Sequence, residues 1–203
     1  MKTARDRVVI AGGGIGGLAA ALALARRGVP CIVLERSARF GEIGAGIQLG
    51  PNAFHAFDAL GIGAEARALA VHVDNLRLMD AVAGHEIARI PLGDGFRARF
   101  ANPYAVVHRG DLHRLLLRAC EADPSIDLRT GAEVSGYGQD DRTAWADLPD
   151  GRARGCAVIG ADGLWSPLRA QMLGDAVQIS GHTTYRSVIP AGDMPEALRW
   201  NDA

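Results

Sequence analysis

The sequence predicts an α/β fold that opens on a parallel βαβ unit, and three observations carry that prediction. Arg7 to Ala11 (RVVIA) is a short β-branched run that stops at glycines. The residues after those glycines set Leu18, Ala21, Leu22 and Ala25 at helical spacing. Gly28 then ends the helix, Pro30 restarts the chain, and Cys31 to Glu35 (CIVLE) is a second apolar run of strand length. Parallel strands joined through a helix need a right-handed crossover, so the first 35 residues read as a Rossmann-like βαβ unit.

Ser37 to Gly50 is a glycine-rich connection containing GEIGAGIQLG, followed by a predicted helix from Pro51 to Leu60 with Pro in its first turn. From Asn75 to Val107 the pattern changes to alternating strands (NLRLMDA, HEIARIPL, YAVVH), with turn signals at Ala83-Gly84 and Gly93-Asp94-Gly95. This reads as an inserted antiparallel β lobe. Asp111 to Cys120 returns to a helix with Leu112, Leu115, Leu116 and Ala119 on one face, and short strands follow near Ile126 to Leu128 and Ala132 to Tyr137. Ala157 to Gly160 is another buried strand, running straight into ADGLWSPLR.

With 203 residues, 48% of them hydrophobic, the chain can bury one sizeable core and a smaller second lobe. Its net charge is -1 and the charged residues are scattered, which argues against a nucleic-acid or anionic-lipid footprint and for a small partner. Cys31, Cys120 and Cys156 are odd in number, far apart and without C-x-x-C spacing. They read as buried structural thiols in a reducing compartment, not as a disulfide framework or zinc site. Five glycines interrupt the N-terminal apolar stretch, which has no small-residue cleavage site, and no apolar run reaches the roughly 18 to 20 residues of a membrane span. A cytoplasmic protein is expected.

Gly12-x-Gly14-x-x-Gly17 lies between the first strand and the first helix. There the first Gly permits a tight turn, the second lets backbone approach a pyrophosphate, and the third allows close helix-strand packing. The helix N-terminus offers N–H groups to the phosphates. Glu35, 18 positions after Gly17 at the end of the second strand, is placed to accept hydrogen bonds from ribose hydroxyls. This arrangement alone does not choose between NAD and FAD.

Taken in order, GGGIGG, VLER, FGEIGAGIQLGPNA, VVHRGDLH and GADGLWSPLR resemble the single-component FAD-dependent aromatic hydroxylases, the class A flavoprotein monooxygenases, over nearly the whole chain. Through GAGIQLGPNA and FRARFANPYAVVHRGDLH the sequence is most similar to the 3-hydroxybenzoate 6-hydroxylases and salicylate hydroxylases among them. The resemblance implies an FAD-binding domain over residues 1–73 and 105–175, and a partial substrate-binding lobe over 74–104 and 176–203. It implies that Gly12, Gly14, Ile15, Gly16, Gly17, Glu35 and Arg36 bind the cofactor. Gly44 to Gln48, with Ala45, Gly46 and Gln48, would run alongside the flavin, Arg109 would contact FAD phosphate or ribose, and Val134 would touch the adenine. Asp162 would help hold FAD in a segment, Gly160 to Arg169, that also serves the reduced nicotinamide. The plainer readings are a surface Arg opening a helix for Arg109, and for Asp162-Gly163 a turn ahead of an N-capping Ser166 and Pro167.

Tyr104 is the candidate catalytic residue, because the resemblance puts its strand near the ring being hydroxylated; a Tyr on a half-buried strand is otherwise a packing residue with a wet hydroxyl. His108, His113, His182 and Tyr185 are further polar candidates. No His/Asp/Glu spacing suits a metal, and there is no GxSxG elbow or nucleophile-base pair, so the hard chemistry falls to a cofactor.

The implied activity consumes NADH or NADPH and dioxygen to hydroxylate a phenolic aromatic acid, with 3-hydroxybenzoate to 2,5-dihydroxybenzoate as the first expectation and salicylate as the alternative substrate. The protein's work would be to place the ring, assist phenol deprotonation and exclude water. The expected partners are a small aromatic acid and dioxygen, with no nucleic acid, no membrane, and a homodimer as the assembly. The chain ends at Trp200-Asn201-Asp202-Ala203, inside the substrate lobe, and a second flavin motif, a GD-containing strand end followed by a helix, has no match. The lobe is therefore expected to be truncated. An active hydroxylase and a catalytically incomplete FAD- or ADP-binding fragment both remain open; the loop after Glu35 and the Asp162-Gly163 segment argue against a plain NAD-dependent dehydrogenase.

Overall fold

The computed structural model describes residues 6–41, 44–185, 189–196 and 199. Glu42 and Ile43 of the glycine-rich connection, and Trp200 to Ala203, lie outside the described residues. The chain forms two compact units, Met1–Glu42 with His113–Thr183, and Ile43–Leu112 with Thr184–Ala203. Residues 44–73 and 105–112, which the resemblance allots to the FAD-binding domain, cluster with the second unit.

The opening βαβ unit is present as β1 (Val8–Ala11), α1 (Ile15–Ala25) and β2 (Cys31–Leu34). Gly28 closes α1 at a φ of 70°, a left-handed conformation that a side chain would strain. A strand, β3 (Gly46–Leu49), forms inside the glycine-rich connection that the sequence reading leaves irregular. It is followed by α2 (Pro51–Leu60), α3 (Gly63–Leu69) and β4 (Val71–His72), the last two not anticipated. Next come β5 (Asn75–Met79) and β6 (Glu86–Pro91).

The expected turn at Gly93-Asp94-Gly95 is instead the start of a helix, α4 (Asp94–Phe100). Asp94 in its first turn and Arg97 and Arg99 in its last suit the helix dipole, and Phe96 and Phe100, one turn apart, pack with ring centroids 4.6 Å apart. The chain continues through β7 (Ala105–His108), α5 (Arg109–Glu121) and β8 (Ile126–Arg129). The strand expected over Ala132 to Tyr137 lies further on, as β9 (Gly136–Gln139). Ala132 instead donates its N–H to the Glu35 carbonyl at 2.9 Å, which ties this stretch to the end of β2. A hairpin, β10 (Ala144–Leu148) and β11 (Gly151–Gly155), precedes β12 (Ala157–Gly160) and α6 (Pro167–Leu173).

In the first unit β12, β1, β2 and β8 form a parallel sheet in that order. All residues of β1 and β2 are buried, as expected of central strands covered on both faces. Side chains alternate across the sheet: the Cys31 thiol reaches the Ala21 carbonyl of α1, while Ile32 and Leu34 join Val9, Ala11, Ala146 and Leu148 in a core shared with the β11-β10-β9 sheet. Cys120 is likewise buried and donates to the Leu18 carbonyl at 3.4 Å. Cys156 corrects the expectation of three buried thiols; it is exposed, at the junction of β11 and β12.

The second unit interrupts the first in sequence and is antiparallel, but its pairing differs from a simple meander. β7 pairs with β3 and β4, leaving β5 and β6 as a separate two-stranded sheet. The intervening α4, ended by Ala101 in a left-handed conformation (φ 57°), separates β7 from the hairpin it was expected to join.

Candidate functional site

Ala11 of β1 lies level with Gly160 of β12, so both strands deliver their next residues at the same end of the sheet. Ala161 donates its N–H to the Ala11 carbonyl at 2.7 Å. Gly12 then turns with φ 106°, and a Cβ built on it would overlap the carbonyl oxygen of Ala161 and sit 3.0 Å from the Asp162 Cα. A Cβ on Gly17 would overlap the Gly12 carbonyl oxygen, while Gly16 faces open space. The first and third motif glycines are thus fixed by backbone approaching backbone.

Gly14 is the N-cap of α1 and carries no side chain to cap it. The first helical bond runs from the Leu18 N–H to the Gly14 carbonyl at 3.0 Å, so the N–H groups of Ile15, Gly16 and Gly17 have no helical partner. No acidic residue occupies the first turn to compete with an anion for these N–H groups. Half-buried Glu35 accepts the Gly13 N–H at 2.8 Å through one carboxylate oxygen and the Ser37 N–H at 2.9 Å through the other. A carboxylate has about four acceptor positions, and with the Ser37 side chain also hydrogen-bonded to it, room for a ligand donor remains. Burial pushes the Glu35 pKa up, but the N–H bonds from Ser37 and Gly13, the Ser37 side chain and the charge of neighbouring Arg36 outweigh it, and the group ionises below its ordinary value. Arg36 itself is exposed.

Asp162 stands beside this loop, and its carboxylate is engaged locally. One oxygen accepts the Ser166 hydroxyl at 2.7 Å, and Ser166 in turn caps α6 by accepting the Arg169 N–H at 2.9 Å. Val134 is 8% exposed and packs in the core with Val9, Ile32 and Leu168. In the same unit His113, one of the further polar candidates, is 1% exposed with its Nε2 2.8 Å from the Gly13 carbonyl. No local sequence signal marks that contact, since 100 residues separate the two.

The other predicted residues belong to the second unit. The Arg109 N–H donates to the Ala45 carbonyl at 3.2 Å, Gly46 pairs with His108 and Gln48 with Val106 across β3 and β7. A Cβ on Gly44 would come within 2.7 Å of the Arg109 side chain, so the glycine admits that side chain. Tyr104 is half-buried just before β7, and burial pushes its hydroxyl pKa up. A cavity of about 540 Å³ in this unit is lined by Arg67, His72, Arg97, Ala101, Asn102 and Pro103. Its guanidiniums are already paired, Arg67 with Asp58 and Asn102, Arg97 with Asp74. Among the further polar candidates, His108, His182 and Tyr185 are exposed.

A glycine turn braced by a carboxylate, ahead of an uncapped helix N-terminus on a parallel sheet, can take a dinucleotide that contains ADP. The family described as FAD binding domain matches residues 5–191. The chain belongs to that family, as the domain is carried by flavoprotein monooxygenases. It is 56% identical over 198 residues to 3-hydroxybenzoate 6-hydroxylase 1 of Aquipseudomonas alcaligenes, an alignment covering 97% of this chain and 50% of that protein. It is 51% identical over 197 residues to 3-hydroxybenzoate 6-hydroxylase of Polaromonas naphthalenivorans, covering 97% and 49%. Klebsiella pneumoniae HpxO, solved with FAD and uric acid, superposes with a TM-score of 0.71 at 29% identity, covering 85% of this chain and 43% of that one. The chain spans about half the length of the curated relatives it matches. No helix among the described residues is long and apolar enough to cross a membrane.

Proposed function

We propose that this chain is the cofactor-binding part of an aromatic-acid hydroxylase that converts 3-hydroxybenzoate to 2,5-dihydroxybenzoate with NADH or NADPH and dioxygen. The single observation behind the reading is the braced Gly12–Gly17 loop beside Glu35 in a chain 56% identical to a 3-hydroxybenzoate 6-hydroxylase. Bound FAD would supply the redox and oxygen-transfer chemistry. The residues present fit its ADP half: the N–H groups at the start of α1 face the pyrophosphate, and Glu35, ionised at neutral pH, accepts the ribose hydroxyls. The roles that the resemblance gives to Ile15, Arg36, Ala45, Gly46, Gln48, Arg109, Val134 and Asp162 toward FAD, and to Tyr104 toward the substrate, are part of this proposal. So are the division into FAD-binding and substrate-binding regions, a homodimer, and a place in the cytoplasm.

The test is to record the visible spectrum of the purified chain and titrate it with FAD, ADP-ribose and NAD, then follow NADH oxidation with 3-hydroxybenzoate and with salicylate. Tight FAD binding and oxidation stimulated by 3-hydroxybenzoate are expected; stimulation by salicylate alone would move the substrate to its isomer. Coverage of about half of each relative favours one second reading, a fragment that binds FAD or ADP-ribose but turns nothing over. Flavin binding without any substrate-stimulated oxidation would select it, and selective binding of NAD would overturn both.

A further inference from the structure

We infer that His113 is a positioning residue for the pyrophosphate of the cofactor, acting through the Gly13–Gly14 peptide. The inference rests on the reading that FAD binds at the glycine loop. Gly13 is gripped at both ends: its N–H donates to Glu35 at 2.8 Å, and its carbonyl oxygen lies 2.8 Å from His113 Nε2. A carbonyl only accepts, so Nε2 carries the proton and His113 is the donor.

The geometry of that bond sets the direction of the next N–H. A peptide is planar and trans, so the C=O of Gly13 and the N–H of Gly14 point in opposite directions. Fixing the Gly13 oxygen toward buried His113 turns the Gly14 N–H the other way. Gly14 is the N-cap of α1, and the same end presents the N–H groups of Ile15, Gly16 and Gly17. His113 therefore holds one donor of the row in place before an anion arrives, by fixing the carbonyl end of the Gly13–Gly14 peptide. Organising a donor in advance spares the ligand the cost of ordering it.

The position is an unusual place for an imidazole. His113 is 1% exposed on α5, next to Leu112 and one turn from Leu116, both buried. A buried polar ring costs free energy unless it is hydrogen-bonded, whereas an apolar side chain would pack there without that cost. What the imidazole adds over a leucine is the bond to Gly13.

His113→Leu and His113→Met remove the donor and keep an apolar filling; His113→Gln places an amide nitrogen near the position of Nε2 and keeps it. The wild-type chain and the three variants are titrated with FAD and with ADP-ribose, and the melting temperature of each is measured without ligand. The expected result is a loss of about tenfold in affinity for both ligands in the Leu and Met variants, restored to within about twofold by Gln. If Leu does not fold, Met and Gln make the same comparison. A purely structural tie would lower the melting temperature and leave the affinities of the folded variants unchanged. That result, or a Gln variant as weak as Met, overturns the inference. Wild-type chain that binds neither FAD nor ADP-ribose overturns the reading beneath it as well, and so is told apart from failure of the His113 role alone.

Discussion

Gly12 and Ala161 approach so closely that no Cβ fits between them: one placed on Gly12 would overlap the Ala161 carbonyl oxygen. The contact follows from the pairing of β1 with β12, which ends both strands level at Ala11 and Gly160. It brings the glycine loop and the Asp162-Gly163 segment, some 150 residues apart in sequence, together at the C-terminal ends of two neighbouring strands.

The motif glycines should accordingly differ in tolerance. Gly12→Ala meets backbone and adopts a strained φ of 106°, and Gly17→Ala meets the Gly12 carbonyl. Each should destabilise the chain by about 2 kcal/mol or more. Gly16→Ala meets nothing within 4 Å and gains helix propensity, so it should be neutral or stabilising by up to about 1 kcal/mol. Chemical denaturation of the three variants without ligand gives the ranking, and equal losses at all three positions would contradict it.

Glu35→Ala and Gly14→Val should both weaken FAD binding, the first by removing the acceptor that braces Gly13, the second by placing bulk where the pyrophosphate approaches. For Glu35→Ala the loss should be about 1.5–3 kcal/mol, roughly ten- to hundredfold in Kd. Unchanged flavin affinity in both variants would overturn the site.

Glu35 also predicts a pH dependence. Its pKa in the folded chain lies below the ordinary 4.5, despite burial, because of the Ser37 and Gly13 N–H bonds, the Ser37 side chain and Arg36. A depressed folded-state pKa means that the stabilisation is present above the unfolded value and is lost as pH falls through the folded one. The gap in melting temperature between wild type and Glu35→Gln should be constant above about pH 5 and should shrink below the ordinary carboxylate value. A gap that widened in acid would contradict the hydrogen-bonded carboxylate.

Ser166→Ala removes the cap of α6 and a donor to Asp162, and should cost about 1 kcal/mol of stability. Asp162→Asn should cost stability as well, because the same carboxylate also faces the Leu168 N–H at 3.4 Å. Thermal melts of the two variants and the double variant should show less than additive losses, since the residues share one network.

The thiols should separate by reactivity. Burial, with smaller contributions from Asp123 and Asp127, pushes Cys31 up to about 11; burial, with Cys31, Asp123 and Glu121, pushes Cys120 up to about 12. Neither forms thiolate at pH 8, whereas Cys156 is exposed. A thiol reagent at that pH should label one cysteine rapidly in the native chain and three after denaturation.

Local chemistry determined a good part of this protein. The β-branched run before the glycines, the helical spacing after them, Pro at the start of α2 and Ser166-Pro167 at the start of α6 each act within a few residues, so the βαβ unit, those helices and the Glu35 position are legible in sequence. The Pro149-Asp150-Gly151 turn between β10 and β11 is a signal of the same kind. Gly93-Asp94-Gly95 reads as a turn, but Asp94 and Gly95 already belong to α4, where the Phe96 and Phe100 pair and the charges at its two ends favour the helix.

Tertiary structure alone decided the rest. Whether β7 pairs with β5 and β6 or with β3 and β4 is not set by its own residues, because an apolar strand can add to any free edge and the choice is made by what the whole unit can bury together. The same holds for Cys156, exposed at a strand junction, and for His113, whose ring has meaning only once α5 brings it to Gly13 across 100 residues. A hydrogen bond between residues so distant leaves no periodicity or spacing in the chain; it exists only because folding removes both groups from water and leaves each other as partner.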